Sequence, residues 1–262
     1  MSDRRPIVVF DSGVGGISVL REMVKLMPNE DFIYFGDSAN APYGTRTLEE
    51  VQALTIGHIS RMVGQGSKAV ALACNTATSA AVNQLRAMYP DMPVIGIEPA
   101  LKPAALSGDH PNVVVMATPM TLREQKFHAL MERFEDTAAI YRLPCPDLVE
   151  YVERGVLDGP QVEAYLRSRF ATLNGVRVDC VVLGCTHFPF ARRAIQRVAG
   201  AQARLFDGGE GTARQMRRRL AECGISAPEQ QVGAVRMENS AEDVAMLELS
   251  WKLLRTRLGE DE

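Results

Sequence analysis

The stretch ALACNTATSAA (residues 71–81) places Cys74 at the end of an apolar run and follows it at once with small polar residues. The stretch VVLGCTHFPFA (181–191) does the same with Cys185. Each cysteine closes what reads as a buried strand, and each precedes what reads as a helix. Around the first lie the strand-like run KAVALA (68–73) and PVIGI (93–97); around the second lie DCVVLG (179–184) and ARLF (203–206). Several of these runs are apolar throughout rather than alternating, as expected of strands covered by helices on both faces.

The same rhythm extends outward. PIVVF (6–10), DFIYFG (31–36), NVVVMA (112–117), AAIYRL (138–143) and GAVRM (233–237) are further strand candidates. Between them run helical patterns such as SVLREMVKLM (18–27) and RRAIQRVA (192–199), with apolar residues three and four apart. Strands alternating with helices give an α/β fold with parallel-rich sheets. A faint internal repeat sharpens this reading. Pro6 opens PIVVFDSG and Pro111 opens PNVVVMAT, and each cysteine stands at a matching distance before the next strand region. The expected division is a first α/β domain over 1–97 joined by 207–262, and a second over 98–206. The thiol corner occurs twice because the unit does. The last helix is expected over 241–258, with Ser240 as its N-cap and Asp243 three residues on.

Composition excludes several classes. The chain has 262 residues, 46% hydrophobic and 23% charged, with net charge −3. Nothing in these values points to a nucleic-acid or membrane partner. The basic run RQMRRRL (214–220) reads as the solvated face of a helix. Asp11 interrupts the first apolar run, so no signal-peptide core forms, and a cytoplasmic protein is expected. Five widely spread cysteines without an export signal do not make a disulfide framework. There is no C-x-x-C and no H-E-x-x-H, so no metal is expected. DSGVGG (11–16) looks like a phosphate loop, but Ser18 stands where the third glycine of the pattern would be. Its glycines are read as letting backbone approach a ligand closely and open the first helix.

Ligands of open α/β sheets sit beyond the carboxyl ends of the strands. Asp11 and Ser12 fall at such an end, as do Cys74, Asn75 and Thr76, then Thr118 and Thr121, then Cys185, Thr186 and His187. Helix N-termini aimed there favour anions and lower a thiol pKa from about 8.5. Two such thiols suit one reaction. A racemase or epimerase takes a proton from one face of a carbon and returns one to the other, so it needs one ionised and one protonated group of matched basicity. Cys145, Cys180 and Cys223 lack this setting and are read as structural. Tyr43 reads as a packed loop tyrosine and Glu153 as a solvated helix residue.

Taken together, DSGVGG, DSANAPYG (37–44), ACNTATSAA and LGCTHFP (183–189), in this order and spacing, resemble the glutamate racemase family. The resemblance spans nearly the whole chain. It implies two pseudo-symmetric flavodoxin-like domains with the active site in the cleft between them. It also implies cofactor-independent interconversion of L- and D-glutamate for peptidoglycan synthesis, hence for the cell wall and cell shape. By motif, Cys74 and Cys185 match the two catalytic thiols, the first acting on D-glutamate and the second on L-glutamate. Asp11 and His187 resemble the residues that assist proton transfer. Glu153 matches more loosely, because Glu150 replaces the usual proline before it. Asp11, Ser12, Tyr43, Gly44, Asn75, Thr76, Thr118, Thr121, Thr186 and His187 resemble the substrate-binding set. The expected partner is glutamate, with no membrane, no nucleic acid and no cofactor; a homodimer is left open. An aspartate racemase, or a regulatory protein on the same scaffold, is the rival reading.

Overall fold

The computed structural model describes residues 3–256 apart from Glu124. It contains nine strands among those residues: β1 (Ile7–Asp11), β2 (Phe32–Gly36), β3 (Ala69–Leu72), β4 (Val94–Gly96), β5 (Asn112–Ala117), β6 (Ala139–Pro144), β7 (Cys180–Leu183), β8 (Arg204–Asp207) and β9 (Val235–Asn239). Every apolar run singled out in the sequence forms one of them. The chain divides into two compact units, one comprising the chain up to Glu98 with Gly209–Arg255, the other built on Pro99–Gly208.

The first unit carries a five-stranded sheet in the order β4-β3-β1-β2-β9. All of its pairs are parallel, with Ile7 beside Phe32 on one side and Ala69 on the other. The second carries four parallel strands in the order β6-β5-β7-β8. Counted within each unit, the first four strands follow one order, 2-1-3-4. This is the flavodoxin-like order, and the repeat seen in the sequence is a repeat of topology. In such a sheet the order reverses between the first and third strands, and the crevice beyond their carboxyl ends is where ligands bind. Those ends carry Asp11 and Cys74 in one unit, Thr118 and Cys185 in the other.

Strand β1 shows why the runs are apolar throughout. Ile7, Val8, Val9 and Phe10 are all inaccessible to solvent. Val8 and Phe10 pack with Ile33, Phe35, Val70 and Leu72 against Val51, Ile59 and Met62 of the helix Leu48–Gly64 and Ala77, Ala81 and Leu85 of the helix Asn75–Met88. In the second unit one face buries Val114, Met116 and Val181 under Leu166 and Ile195, and the other buries Val113, Val115 and Val182 under Phe127 and Met131. At about 25 cal/mol per Å², such burial is the main stabilising term. No helix of the described residues is long and apolar enough to cross a membrane.

The carboxyl-terminal helix departs from expectation. It spans Val244–Arg255, and Leu258 lies outside the described residues. Its cap is Asp243, whose carboxylate accepts from Ala245 N–H (2.9 Å) and whose carbonyl accepts from Leu247 N–H. Ser240 serves elsewhere: its Oγ accepts from Ala39 N–H (3.0 Å) and its own N–H bonds the carbonyl of Gly36. Once Ser240 is held against the loop after β2, the chain must turn through Ala241 and Glu242 before a helix can start. Cys223 also departs from a structural role, since it is exposed at the end of the helix Gly209–Glu222. The basic run does form a solvated face there, with Arg214 bonded to Glu210 and Arg219 to Glu222.

One buried ion pair ties the first unit together. Lys68 Nζ lies 2.6 Å from Glu30 Oε2 and donates to the carbonyls of Asp3 (2.6 Å) and Ile225 (2.8 Å). Glu30 Oε1 in turn accepts from Ala227 N–H. The side chains are 0% and 5% exposed, so deleting one charge strands the other in the interior. Lys68→Met is expected to destabilise this unit by about 3–5 kcal/mol, and the double change Lys68→Met with Glu30→Leu by less. Urea denaturation of the three proteins checks this; a single variant as stable as wild type would show the pair to be dispensable.

Candidate active site

Each unit presents a group of polar residues at its strand ends, and each group is built differently. In the first unit, Cys74 follows β3 and is the N-cap of the helix Asn75–Met88. Its sulfur accepts from Ala77 N–H at 3.5 Å and lies 3.4 Å from Ser12 Oγ. The residue is 7% exposed. A helix N-terminus and a hydroxyl beside a sulfur both favour its anionic form. Asp11, at the end of β1, is fully buried, and its Oδ1 accepts from Gly13 N–H (2.9 Å). A Cβ on Gly16 would lie 2.6 Å from Asp11 Cβ and 2.8 Å from Ala73 Cβ. The glycine thus lets the loop close on Asp11 itself, where the sequence reading had it make room for a ligand. Thr76 is buried, and Asn75 Oδ1 is a buried acceptor with no hydrogen-bond partner among the described residues.

Tyr43 stands in a short 3-10 turn, Tyr43–Thr45, after a cis bond between Ala41 and Pro42. Its ring is buried in the same cluster as Cys74, with Phe10 at 6.4 Å between centroids. Its hydroxyl donates to Asp37 Oδ2 at 2.6 Å. Burial and the Asp37 carboxylate together hold the phenol pKa far above its ordinary value. Asp37 is wholly buried, and it also receives Asn40 Nδ2 (3.0 Å) and His58 Nε2 (3.2 Å). Burial would raise its pKa, but these donors, with Ser240, hold it well below the usual carboxylate range. The Tyr43 side chain is therefore packed and committed, as the loop reading has it, and the turn offers the backbone of Tyr43 and Gly44.

In the second unit, Cys185 follows β7 but caps no α-helix. A turn carries the chain through Thr186 and His187 into the 3-10 segment Phe188–Ala191, and the helix Arg192–Ala199 starts only after it. The expected helix N-terminus at this thiol is absent: the buried segment Phe188–Ala191 takes a 3-10 form there instead. In its place stands an imidazole. His187 Nδ1 is 3.6 Å from Cys185 Sγ, and His187 Nε2 is 2.7 Å from Glu153 Oε1. Glu153 ends the helix Asp147–Glu153 and is not the solvated residue that its local sequence implied. Burial opposes charge on His187, but the Cys185 sulfur and the Glu153 carboxylate raise its pKa well above the ordinary 6.5. Thr118 and Thr121 face each other at 3.0 Å after β5, and Thr121 and Thr186 are buried. Cys145 is different in kind: burial pushes its thiol up to about 12, as befits a core residue.

Sequence reasoning passed over Asp37 and His58. Asp37 had a signal, because it ends a buried strand as Asp11 does and opens the quoted stretch DSANAPYG. His58, inside a long helix, had none. Among the described residues no group of three or more His, Cys, Asp or Glu side chains could hold a metal ion.

Residues 7–216 match the Asp/Glu/hydantoin racemase family. The chain is 46% identical over 252 residues to a glutamate racemase of Clostridium botulinum (strain Alaska E43 / Type E3), covering 96% of this chain and 98% of that protein. Among solved structures it is similar to glutamate racemase from Francisella tularensis in complex with D-glutamate, with 26% identity, a TM-score of 0.83, and 98% and 96% of the two chains covered. It is also similar to Escherichia coli glutamate racemase in complex with L-glutamate and the activator UDP-MurNAc-ala, with 30% identity, a TM-score of 0.83, and coverage of 95% and 94%.

The charge on His187 has a measurable signature. Its folded pKa lies above 6.5, so the stability it contributes is complete below about pH 6.5 and fades as pH rises through the raised value. Glu153→Gln is expected to lower the pH at which the imidazole titrates in NMR spectra. The stability lost in that variant should be largest at low pH and shrink at high pH. Identical imidazole titrations in the two proteins would show that Glu153 does not hold the charge.

Proposed function

The chain belongs to the glutamate racemases of the Asp/Glu/hydantoin racemase family, and from that premise we propose that Cys74 and Cys185 interconvert L- and D-glutamate by two-thiol proton transfer. The observation that carries this reading is the pair of thiols at matching strand ends, each with its own means of supporting a thiolate. In the L-to-D direction the Cys185 thiolate removes the α-proton, and the Cys74 thiol delivers a proton to the opposite face. In the D-to-L direction the roles reverse. Each L-to-D turnover leaves Cys185 as the thiol and Cys74 as the thiolate, so the enzyme returns a proton from Cys185 to Cys74 through solvent before it acts on another L-glutamate, or it acts next on D-glutamate.

The neighbours divide the work in this reading. His187, held cationic by Glu153, supports the thiolate of Cys185. Ser12 and the helix N-terminus support that of Cys74, with Asp11 at the end of β1 assisting proton transfer. The unpaired Oδ1 of Asn75 accepts from the substrate ammonium, while Thr76, Thr118, Thr121, Thr186 and the backbone at Tyr43 and Gly44 receive its carboxylates and main chain. No cofactor takes part, because both protons travel on sulfur. The product, D-glutamate, would serve peptidoglycan synthesis in the cytoplasm and thereby the cell wall and cell shape.

The pH dependence of kcat/KM should be bell-shaped, with limbs belonging to the coupled pair, since the free enzyme must hold one thiol ionised and one protonated. A profile flat from about pH 6 to about pH 10 would contradict a thiol pair. Either Cys→Ala variant should lose racemisation by about 10²–10⁴-fold or more. Each should still exchange the α-proton of one enantiomer in D2O, seen by NMR without inversion: Cys185→Ala with D-glutamate, Cys74→Ala with L-glutamate. Wild-type racemisation by either variant refutes the mechanism. The same assay with L-aspartate separates this substrate from its nearest rival.

A further inference from the structure

We infer that His58 is a positioning residue for the substrate-binding turn Tyr43–Thr45, acting through the buried carboxylate of Asp37. The inference rests on the reading above that this turn meets substrate. Asp37 Oδ2 accepts from the Tyr43 hydroxyl at 2.6 Å and lies 3.2 Å from His58 Nε2. The first comes from the turn, and the second from the middle of the helix Leu48–Gly64. Asp37 is inaccessible to solvent and Tyr43 is 1% exposed, so no bulk water competes for these bonds. Asn40 occupies the other oxygen.

His58 is itself fixed in orientation. Its ring packs 4.8 Å from that of Phe35 and 6.1 Å from that of Phe10, and Phe10 in turn touches Tyr43. On its open side it lines a cavity of about 540 Å³ with Arg46, Glu50, Ala53, Leu54 and Gly57. Arg46 reaches back from that cavity to the carbonyl of Asn40 at 2.7 Å, bracing the same loop from its far end. With Nε2–H on Asp37, the histidine orients the carboxylate so that its remaining lone pairs meet the Tyr43 hydroxyl. Without it the carboxylate can rotate toward Asn40, and the turn loses its anchor. Because the turn binds both enantiomers in the ground state and the transition state alike, the loss should appear in KM and spare kcat.

The shape of the imidazole supplies the test. A glutamine amide nitrogen can take the place of Nε2, whereas an asparagine amide nitrogen takes the place of Nδ1 and falls short of Asp37. His58→Gln should therefore keep kinetics close to wild type. His58→Asn and His58→Leu should raise KM by roughly tenfold for both L- and D-glutamate with kcat within about twofold. Combining His58→Leu with Tyr43→Phe should add little to the KM change of either alone, since both act on one carboxylate. Melting curves accompany the kinetics, and if the leucine variant does not fold, the asparagine and glutamine pair carries the comparison. Equal KM values for the glutamine and asparagine variants, or a loss confined to kcat, would overturn the inference. Wild-type protein that fails to racemise glutamate would instead refute the functional reading on which it rests.

Discussion

A strand buried on both faces can present a polar side chain only where it ends. Ile7 to Phe10 have no exposed surface, and the next residue, Asp11, is the first that the sheet can offer to chemistry. The same holds at β3, where Ala73 is buried and Cys74 turns the chain into a helix, and at β5 and β7, which lead to Thr118 and Cys185. Parallel pairing aligns these ends on one edge of each sheet. The functional groups of each unit are gathered by this constraint, and the reading of what they do depends on it.

The two thiols resemble each other in position and differ in support. Cys74 draws on backbone N–H groups and on Ser12, neutral dipoles whose effect needs no titration. Cys185 lies beside His187, whose charged form is favoured by the Cys185 sulfur and the Glu153 carboxylate against the cost of burial. One repeated strand order therefore carries two differently built corners, one at a helix N-terminus and the other beside a histidine–carboxylate pair.

The loop after β2 illustrates how a site is held from behind. Asp37 is a buried charge, and a buried charge is tolerated only with its lone pairs satisfied. Its donors come from Asn40 and Tyr43 within the loop and from His58 on a helix. The carboxyl-terminal segment adds Ser240 and Asn239, which bond Ala39 and Ser38. The loop can be irregular because so many partners fix it.

The sequence by itself determined the strands, the α/β alternation, the repeated unit and the positions of the two thiols. These are local properties: an apolar run covered on both faces has a recognisable composition, and its end is marked by the first polar residue. It also led, through four short motifs, to the family. Only the tertiary structure decided that Cys185 faces an imidazole in place of a helix N-terminus, that Asp243 and not Ser240 caps the last helix, and that His58 reaches Asp37. Glu153 and His187 stand 34 residues apart and meet only because the helix after β6 and the turn after β7 come to one edge of the sheet. Hydrogen bonds of this kind leave no periodicity along the chain, since their geometry is set by strand order and by the packing that holds each side chain in place.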